Sequence, residues 1–142
     1  MQRIVRQVCG IDVAKDELVV VAGRLYDDMT PELYARKSFP NSDKGFCALL
    51  VWMNKLTEPS IETRFVMEAT GVYHEKLAYF LYGQGQLITV VLPNKISNYF
   101  RTLETKTITD KTASDAIARF GLERKLDNWK PVSPAPARTG PA

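Results

Sequence analysis

The sequence has few of the residues that form zinc sites or serine-protease triads, and no long apolar run. It contains one histidine and two cysteines in 142 residues. Neither Cys9 nor Cys47 belongs to a CxxC pair, so a zinc site and a His-based triad have too few ligands or partners. Both cysteines are therefore expected to be buried, reduced thiols. No apolar run approaches the ~18 residues that a transmembrane helix needs, and the start MQRIVRQVCG lacks the apolar core of a signal peptide. These absences predict a cytoplasmic protein with no membrane partner.

The residues that are present suit one globular domain. Hydrophobic residues make up 45% and charged residues 25% of the chain, enough for a buried core under a charged surface. The segment 131–142 holds four prolines without periodicity and is expected to be a disordered linker or tail. The predicted domain therefore spans residues 1–130.

Hydrophobic periodicity predicts an α/β fold. Strands joined by short links come first, and helices then alternate with strands, which implies a mixed five-stranded sheet flanked by helices. The predicted strands are Val5–Ile11, Leu18–Ala22, Leu33–Phe39, Arg64–Met67 and Leu87–Leu92, and the predicted helices are 41–56, Val72–Tyr82, Asn94–Phe100 and Thr109–Leu122.

Three acidic residues stand at the ends of predicted elements. Asp12 follows the first strand, Glu68 follows the fourth, and Asp110 opens the last helix. An acid at the end of an apolar strand is costly to bury unless it binds something, and carboxylates with open positions suit Mg²⁺ or Mn²⁺. Each acid alone is equally well explained as a cap or turn residue. The set of three on this order of strands favours a metal site for phosphodiester chemistry.

Six segments of the sequence resemble one known family. They are GIDVAK at 10–15, NSDKGF at 41–46, MEATGVYHEKLAYFL at 67–81, VVLPNKISNYF at 90–100, TKTITDKTASDAIARFG at 105–121 and the following KLDNWKP. In this order they resemble the RuvC-like N-terminal domain of the DEDD-type transposases of insertion sequences called the IS-one-ten group. The resemblance covers nearly the whole chain up to Pro131.

The resemblance implies an RNase H-like fold and a Mg²⁺ site made of four acids. Asp12, Glu68 and Asp110 match the first three. The fourth acid usually lies three residues after the third, where this sequence has Ala113, and the nearest acid is Asp115. In a helix regular from Asp110, Ala113 belongs to the inward stripe and Asp115 points to solvent; a helix that begins later brings Asp115 into the site.

The resemblance also implies DNA transposition and recombination, an element-encoded guide RNA and a homo-oligomeric full-length protein. In this family a C-terminal domain supplies a nucleophilic serine. We find no counterpart of that domain in these 142 residues, so the chain alone is expected to be incomplete for recombination.

Basic residues concentrate near the predicted acids. The stretch 93–130 has eight Lys and Arg against five Asp and Glu, which accounts for the whole net charge of +3. Such a stretch beside metal-binding acids fits a nucleic-acid backbone, although a solvated mixed-charge surface explains the charge equally well. The candidate backbone contacts are Lys15, Lys95, Arg101, Lys106 and Lys111.

Three functions remain open on the sequence. The leading hypothesis is a metal-dependent DNA transposase or recombinase domain that cleaves and transfers strands. A Holliday-junction resolvase-like nuclease would use the same metal chemistry. A non-catalytic module for nucleic-acid binding or oligomerisation would leave the acids structural, and divalent-metal binding separates it from the two enzymes.

Overall fold

The computed structural model describes residues 3–69, 71–102 and 113–131. Asp110, Lys106, Lys111 and the segment 132–142 lie outside the described residues, so the predictions made for them stay predictions. Within the described ranges no helix is both long and apolar enough to span a bilayer. The elements follow in the order β1 (Ile4–Val13), β2 (Glu17–Tyr26), β3 (Pro31–Pro40), α1 (Asp43–Leu56), β4 (Thr63–Glu68), α2 (Glu75–Gly83), β5 (Leu87–Val91), α3 (Pro93–Thr102) and α4 (Ala113–Glu123).

The strands form one mixed sheet in the order β3-β2-β1-β4-β5. Short turns join β1 to β2 and β2 to β3, and these pairs are antiparallel. Helices α1 and α2 are the crossovers that lead to β4 and β5, which lie parallel to β1. The predicted order of elements and the mixed five-stranded sheet are therefore confirmed.

Helices α1 and α2 cover one face of the sheet with large apolar side chains. The hydroxyl of Ser42 accepts a hydrogen bond from the Gly45 backbone N–H and caps α1. Behind this cap, the predicted amphipathic face of α1 is buried through Phe46, Leu49 and Met53. These side chains pack with those of α2 and with one set of alternating residues from the strands. This layer forms the larger of the two hydrophobic clusters.

Helix α4 covers the opposite face at unusually short range. A Cβ atom on Gly10 of β1 would lie 2.5 Å from the backbone nitrogen of Ala118, and one on Gly121 would lie 2.8 Å from a methyl of Val66. Both distances are far below van der Waals contact, so glycine at these two positions permits the close approach. The small residues Ala116 and Ala118 are fully buried in this layer.

The two edges of the sheet differ in their cover. Strand β3 is at least partly exposed along most of its length. The outer edge of β5 is covered by the segment after α4, where the Trp129 backbone N–H donates to the Ile88 carbonyl at 2.7 Å. The Trp129 ring packs edge-on against Tyr79 and Tyr82.

Two predictions about local structure are wrong. Residues 71–74 form a turn rather than the start of α2, with Gly71 at a φ of 59° and Val72 66% exposed. An apolar valine at helical spacing extended the predicted helix into this turn. Cys47 was expected to be buried and is exposed, because it lies on the outer side of α1; Cys9 is buried, and burial raises the pKa of its thiol.

Candidate metal site

Asp12 and Glu68 occupy neighbouring positions on two parallel strands. Strand β1 pairs with β4 so that Gly10 lies opposite Val66 and Ile11 lies opposite Met67. The next position on each strand is Asp12 and Glu68. Neighbouring strands are about 4.8 Å apart, so these two acids stand side by side at the carboxyl ends of β1 and β4. We call this pair the acid edge.

Both acids face the α4 side of the sheet. Ile11 and Met67 point into the cluster beneath α1 and α2, whereas Val8 and Val66 point toward α4. Because side chains alternate along a strand, Asp12 and Glu68 share the α4 face. Each is half-buried. Asp12 is the penultimate residue of β1 and Glu68 is the last residue of β4, so the prediction that both acids follow their strands is wrong by one or two positions.

Asp115 is buried rather than turned to solvent. Its exposed fraction is 4%, whereas Ala113, predicted to face inward, is exposed. Residues 114–118 of α4 are all buried, so this helix does not present a single inward stripe. The expectation of an inward Ala113 and an outward Asp115 is therefore wrong.

Arg36 forms an ion pair with Asp115. Its Nε donates to Oδ1 of Asp115 at 3.0 Å. Arg36 lies on β3, level with Gly10 of β1 and separated from it by β2. Glu68 lies on the other side of β1. Across the described ranges no group of three or more His, Cys, Asp or Glu side chains comes together as a metal cluster, so Asp115 does not complete a three-acid cluster with the acid edge.

Asn41 connects the segments that follow the two acid-bearing strands. Its side-chain Nδ2 donates to the carbonyl of Ala14 at 2.8 Å and to that of Tyr73 at 3.2 Å. Ala14 follows β1 and Tyr73 follows β4, so this one amide holds both loops beside the acid edge. From the sequence we predicted only a helix start at Asn41 and missed its role in holding the two loops. Its place in the NSDKGF segment was the signal that could have pointed to this role.

The predicted nucleic-acid contacts divide into three groups. Lys15 is exposed in the loop after β1, and Lys95 is exposed on α3 just after β5. Since Val91 of β5 pairs with Glu68, both lysines lie at the end of the sheet that carries the acid edge. Arg101 has a described backbone in α3 but its side chain lies outside the described residues, as do Lys106 and Lys111.

Comparison with solved structures identifies the fold. Thermus thermophilus RuvC superposes with a TM-score of 0.55 at 11% identity, covering 82% of this chain and 91% of RuvC. The structure of T. thermophilus RuvC in complex with a Holliday junction substrate gives a TM-score of 0.50 at 12% identity, with 82% and 90% covered. The chain therefore has the RNase H-like fold that the resemblance implied.

Comparison with known sequences identifies the family. The pilin gene-inverting protein of Moraxella lacunata is 29% identical over 124 residues, covering 87% of this chain and 37% of that protein. That of Moraxella bovis is 29% identical over 126 residues with the same coverage. The chain thus spans just over a third of the length of these relatives. The family model of IS110-type DEDD transposases matches residues 9–138, and the chain belongs to this transposase family.

Proposed function

We propose that this chain is the metal-binding catalytic domain of a DNA recombinase that cleaves and rejoins phosphodiester bonds. The observation that carries the proposal is the acid edge, in which Asp12 and Glu68 stand in adjacent register on one face of the sheet. Membership in the transposase family supports DNA as the substrate.

The donor set of the acid edge fits a hard divalent cation. Two half-buried carboxylates on neighbouring strands supply oxygen ligands of the kind that Mg²⁺ and Mn²⁺ prefer. Asp12 and Glu68 would hold the ion, and Asp110 is proposed to complete the site. A bound divalent ion supplies Lewis-acid stabilisation of the attacking and leaving oxygens of a phosphodiester.

The chain's own residues contribute positioning and charge. The sheet fixes the backbones of Asp12 and Glu68 at adjacent positions, and Asn41 ties the loops that follow them. Lys15 and Lys95, exposed at the same end of the sheet, are proposed to contact the phosphates on either side of the scissile bond. An element-encoded guide RNA and a homo-oligomeric full-length protein complete the proposal and rest on the family resemblance.

A nuclease that resolves branched DNA is the second candidate. The superposition covers nine-tenths of RuvC, whose complex with a Holliday junction is known. The two candidates differ in what this chain does alone, because a resolvase cuts branched DNA without further domains, whereas a recombinase domain needs the rest of its protein.

The test combines metal binding with cleavage. Calorimetric titration of the chain with Mn²⁺ is expected to show binding that Asp12→Asn and Glu68→Gln each weaken on the order of tenfold or more, since each removes a charged ligand. Asp27→Asn is the matched control, because Asp27 is an exposed acid in the turn after β2, at the opposite end of the sheet.

Each result selects one function. Loss of binding in the two edge variants alone, with no cutting of a four-way junction by the chain, supports the recombinase domain. Junction cutting that Asp12→Asn abolishes favours the resolvase. Absence of Mn²⁺ binding by the unaltered chain contradicts both and leaves a non-catalytic module.

A further inference from the structure

A second charged site lies at the end of the sheet opposite the acid edge. A cavity of about 320 Å³ opens there, where β1 and β4 begin and α4 ends. Four cationic side chains line it, and Glu62 is the one acid among the lining residues. We call these four residues the basic cleft: Arg6, Arg64, Arg124 and Lys125.

Arg6 and Arg64 are held in place by uncharged hydrogen-bond partners. Nη1 of Arg6 donates to the Leu122 carbonyl at 2.8 Å, and Nη1 of Arg64 donates to Oγ1 of Thr89 at 2.9 Å and to Oδ1 of Asn128 at 2.6 Å. Within the described ranges neither forms an ion pair.

Other arginines of the chain show that pairing is available. Arg24, Arg36 and Arg119 each contact a carboxylate at 3.2 Å or less. Among the described residues, the guanidinium groups of Arg6 and Arg64 therefore have no carboxylate partner, and their neutral hydrogen bonds fix their orientation. An arginine held in this way matches the geometry of a phosphate and loses little side-chain entropy on binding one.

Each acid-bearing strand also carries one of these arginines on the same face. Arg6 and Asp12 share the α4 face of β1, and Arg64 and Glu68 share that face of β4, because both spacings are even. From Arg6 to Asp12 the strand covers about 20 Å, at roughly 3.3 Å per residue. Along the axis of B-DNA that length corresponds to about six base pairs, at 3.4 Å of rise each.

From this arrangement we propose that the basic cleft binds the phosphate backbone of duplex DNA about six base pairs from the bond that is cut. The proposal rests on the proposed function, since the acid edge defines where cutting occurs. It adds a contact that none of the sequence-predicted lysines and arginines supplies. The regular spacing of B-form phosphates favours duplex DNA over a single-stranded RNA as the partner.

The test measures the salt dependence of DNA binding. The unaltered chain and the variant Arg64→Gln/Lys125→Gln are titrated with a fluorescent 20-base-pair duplex from about 50 to 200 mM salt. Losing two phosphate contacts is expected to make the negative slope of log K against log salt shallower by about 2, at ~0.9 for each contact. Thermal melting confirms that the variant is folded.

A matched control removes the same charge from the other face. Lys44→Gln/Lys76→Gln alters two exposed lysines on α1 and α2, which cover the face away from the basic cleft. This variant is expected to keep the slope of the unaltered chain. A parallel titration with a 20-nucleotide single-stranded RNA tests the choice of partner.

The possible failures are distinguishable. If the unaltered chain binds the duplex and both double variants bind it with the same slope, the basic cleft is not a DNA contact, while Mn²⁺ binding at the acid edge still supports the proposed function. If the cleft variant weakens RNA binding alone, the partner is not duplex DNA. If the unaltered chain binds no duplex, the cleft proposal fails together with the DNA-binding part of the proposed function.

Discussion

The two faces of the sheet are packed by opposite means. Beneath α1 and α2 the space is filled by large side chains such as Phe46, Leu49 and Leu81, all essentially inaccessible to solvent. Beneath α4 there is little room for side chains at Gly10, where the backbone of β1 lies directly against the backbone of α4 at Ala118. The first arrangement stabilises the fold through buried apolar area. The second fixes the height of α4 above the strands that carry Asp12 and Glu68.

The proposed metal site and the basic cleft both lie on the closely packed face. The acid edge, Asp115 and the arginines of the basic cleft all belong to the α4 side of the sheet, whereas the α1 and α2 side carries the larger apolar cluster. The close approach at Gly10, Ala118 and Gly121 holds α4 at a fixed distance from the sheet, and this distance lets Asp115 of α4 reach Arg36 of β3. We therefore expect removal of side-chain atoms to lower stability most beneath α1 and α2, and addition of atoms to lower it most beneath α4.

The largest expected loss of stability comes from creating a cavity beneath α1 and α2. Leu49→Ala removes a fully buried side chain and is expected to lower the free energy of unfolding by about 2–5 kcal/mol, from lost transfer energy and a residual cavity. Urea unfolding followed by circular dichroism measures the change. Leu92→Ala is the control, since Leu92 is 56% exposed and should shift stability by no more than about 0.5 kcal/mol. Equal effects at the two leucines would contradict the packing described for α1.

Adding one methyl group beneath α4 should lower the free energy of unfolding by a smaller but measurable amount. In Gly10→Ala the new Cβ would meet the Ala118 backbone at 2.5 Å, and overpacking of this kind costs about 1–3 kcal/mol. Gly83→Ala adds the same atom at the end of α2, where nothing lies within 4 Å, and should be neutral or slightly stabilising. The same urea titration compares them, and an unchanged stability in Gly10→Ala would mean that α4 does not approach β1 this closely.

The smallest effect is expected at the ion pair on the α4 side. Arg36→Gln removes the cation that contacts the buried Asp115. Because the Arg36 side chain is 53% exposed, solvent screening should limit the loss of stability to about 1 kcal/mol. Lys76→Gln removes the charge of an exposed lysine on α2 and should change stability by no more than about 0.5 kcal/mol. Thermal denaturation of the two variants makes the comparison, and equal melting temperatures would show that the pair contributes nothing.

The order of elements was predictable because it depends on local patterns. Hydrophobic periodicity predicted the helix at 41–56, where α1 buries Phe46, Leu49 and Met53, and it also predicted the five strands. The start of α2 was not predictable from spacing, since Val72 continues the helical pattern but lies in a turn with an exposed side chain. Hydrophobic periodicity cannot separate an exposed apolar residue from a buried one.

The site was predictable only in part, because several of its contacts join residues that are far apart in the sequence. Asp12 and Glu68 were recognised because each stands where an apolar strand ends. Asp115 is buried against Arg36, which lies 79 positions away along the chain. Helix periodicity assumed one inward stripe, whereas residues 114–118 are all buried beneath the closely packed α4. The basic cleft is formed where the beginnings of two strands meet the end of a helix. Local sequence patterns do not predict which distant residues come together in this way.

Diffraction from crystals of the chain soaked in Mn²⁺, recorded at a wavelength where manganese scatters anomalously, tests the central claim most directly. The account predicts an anomalous peak at the acid edge, about 2.2 Å from carboxylate oxygens of both Asp12 and Glu68. A fully soaked crystal whose manganese lies elsewhere, with the two carboxylates turned to different sides of the sheet, would contradict it.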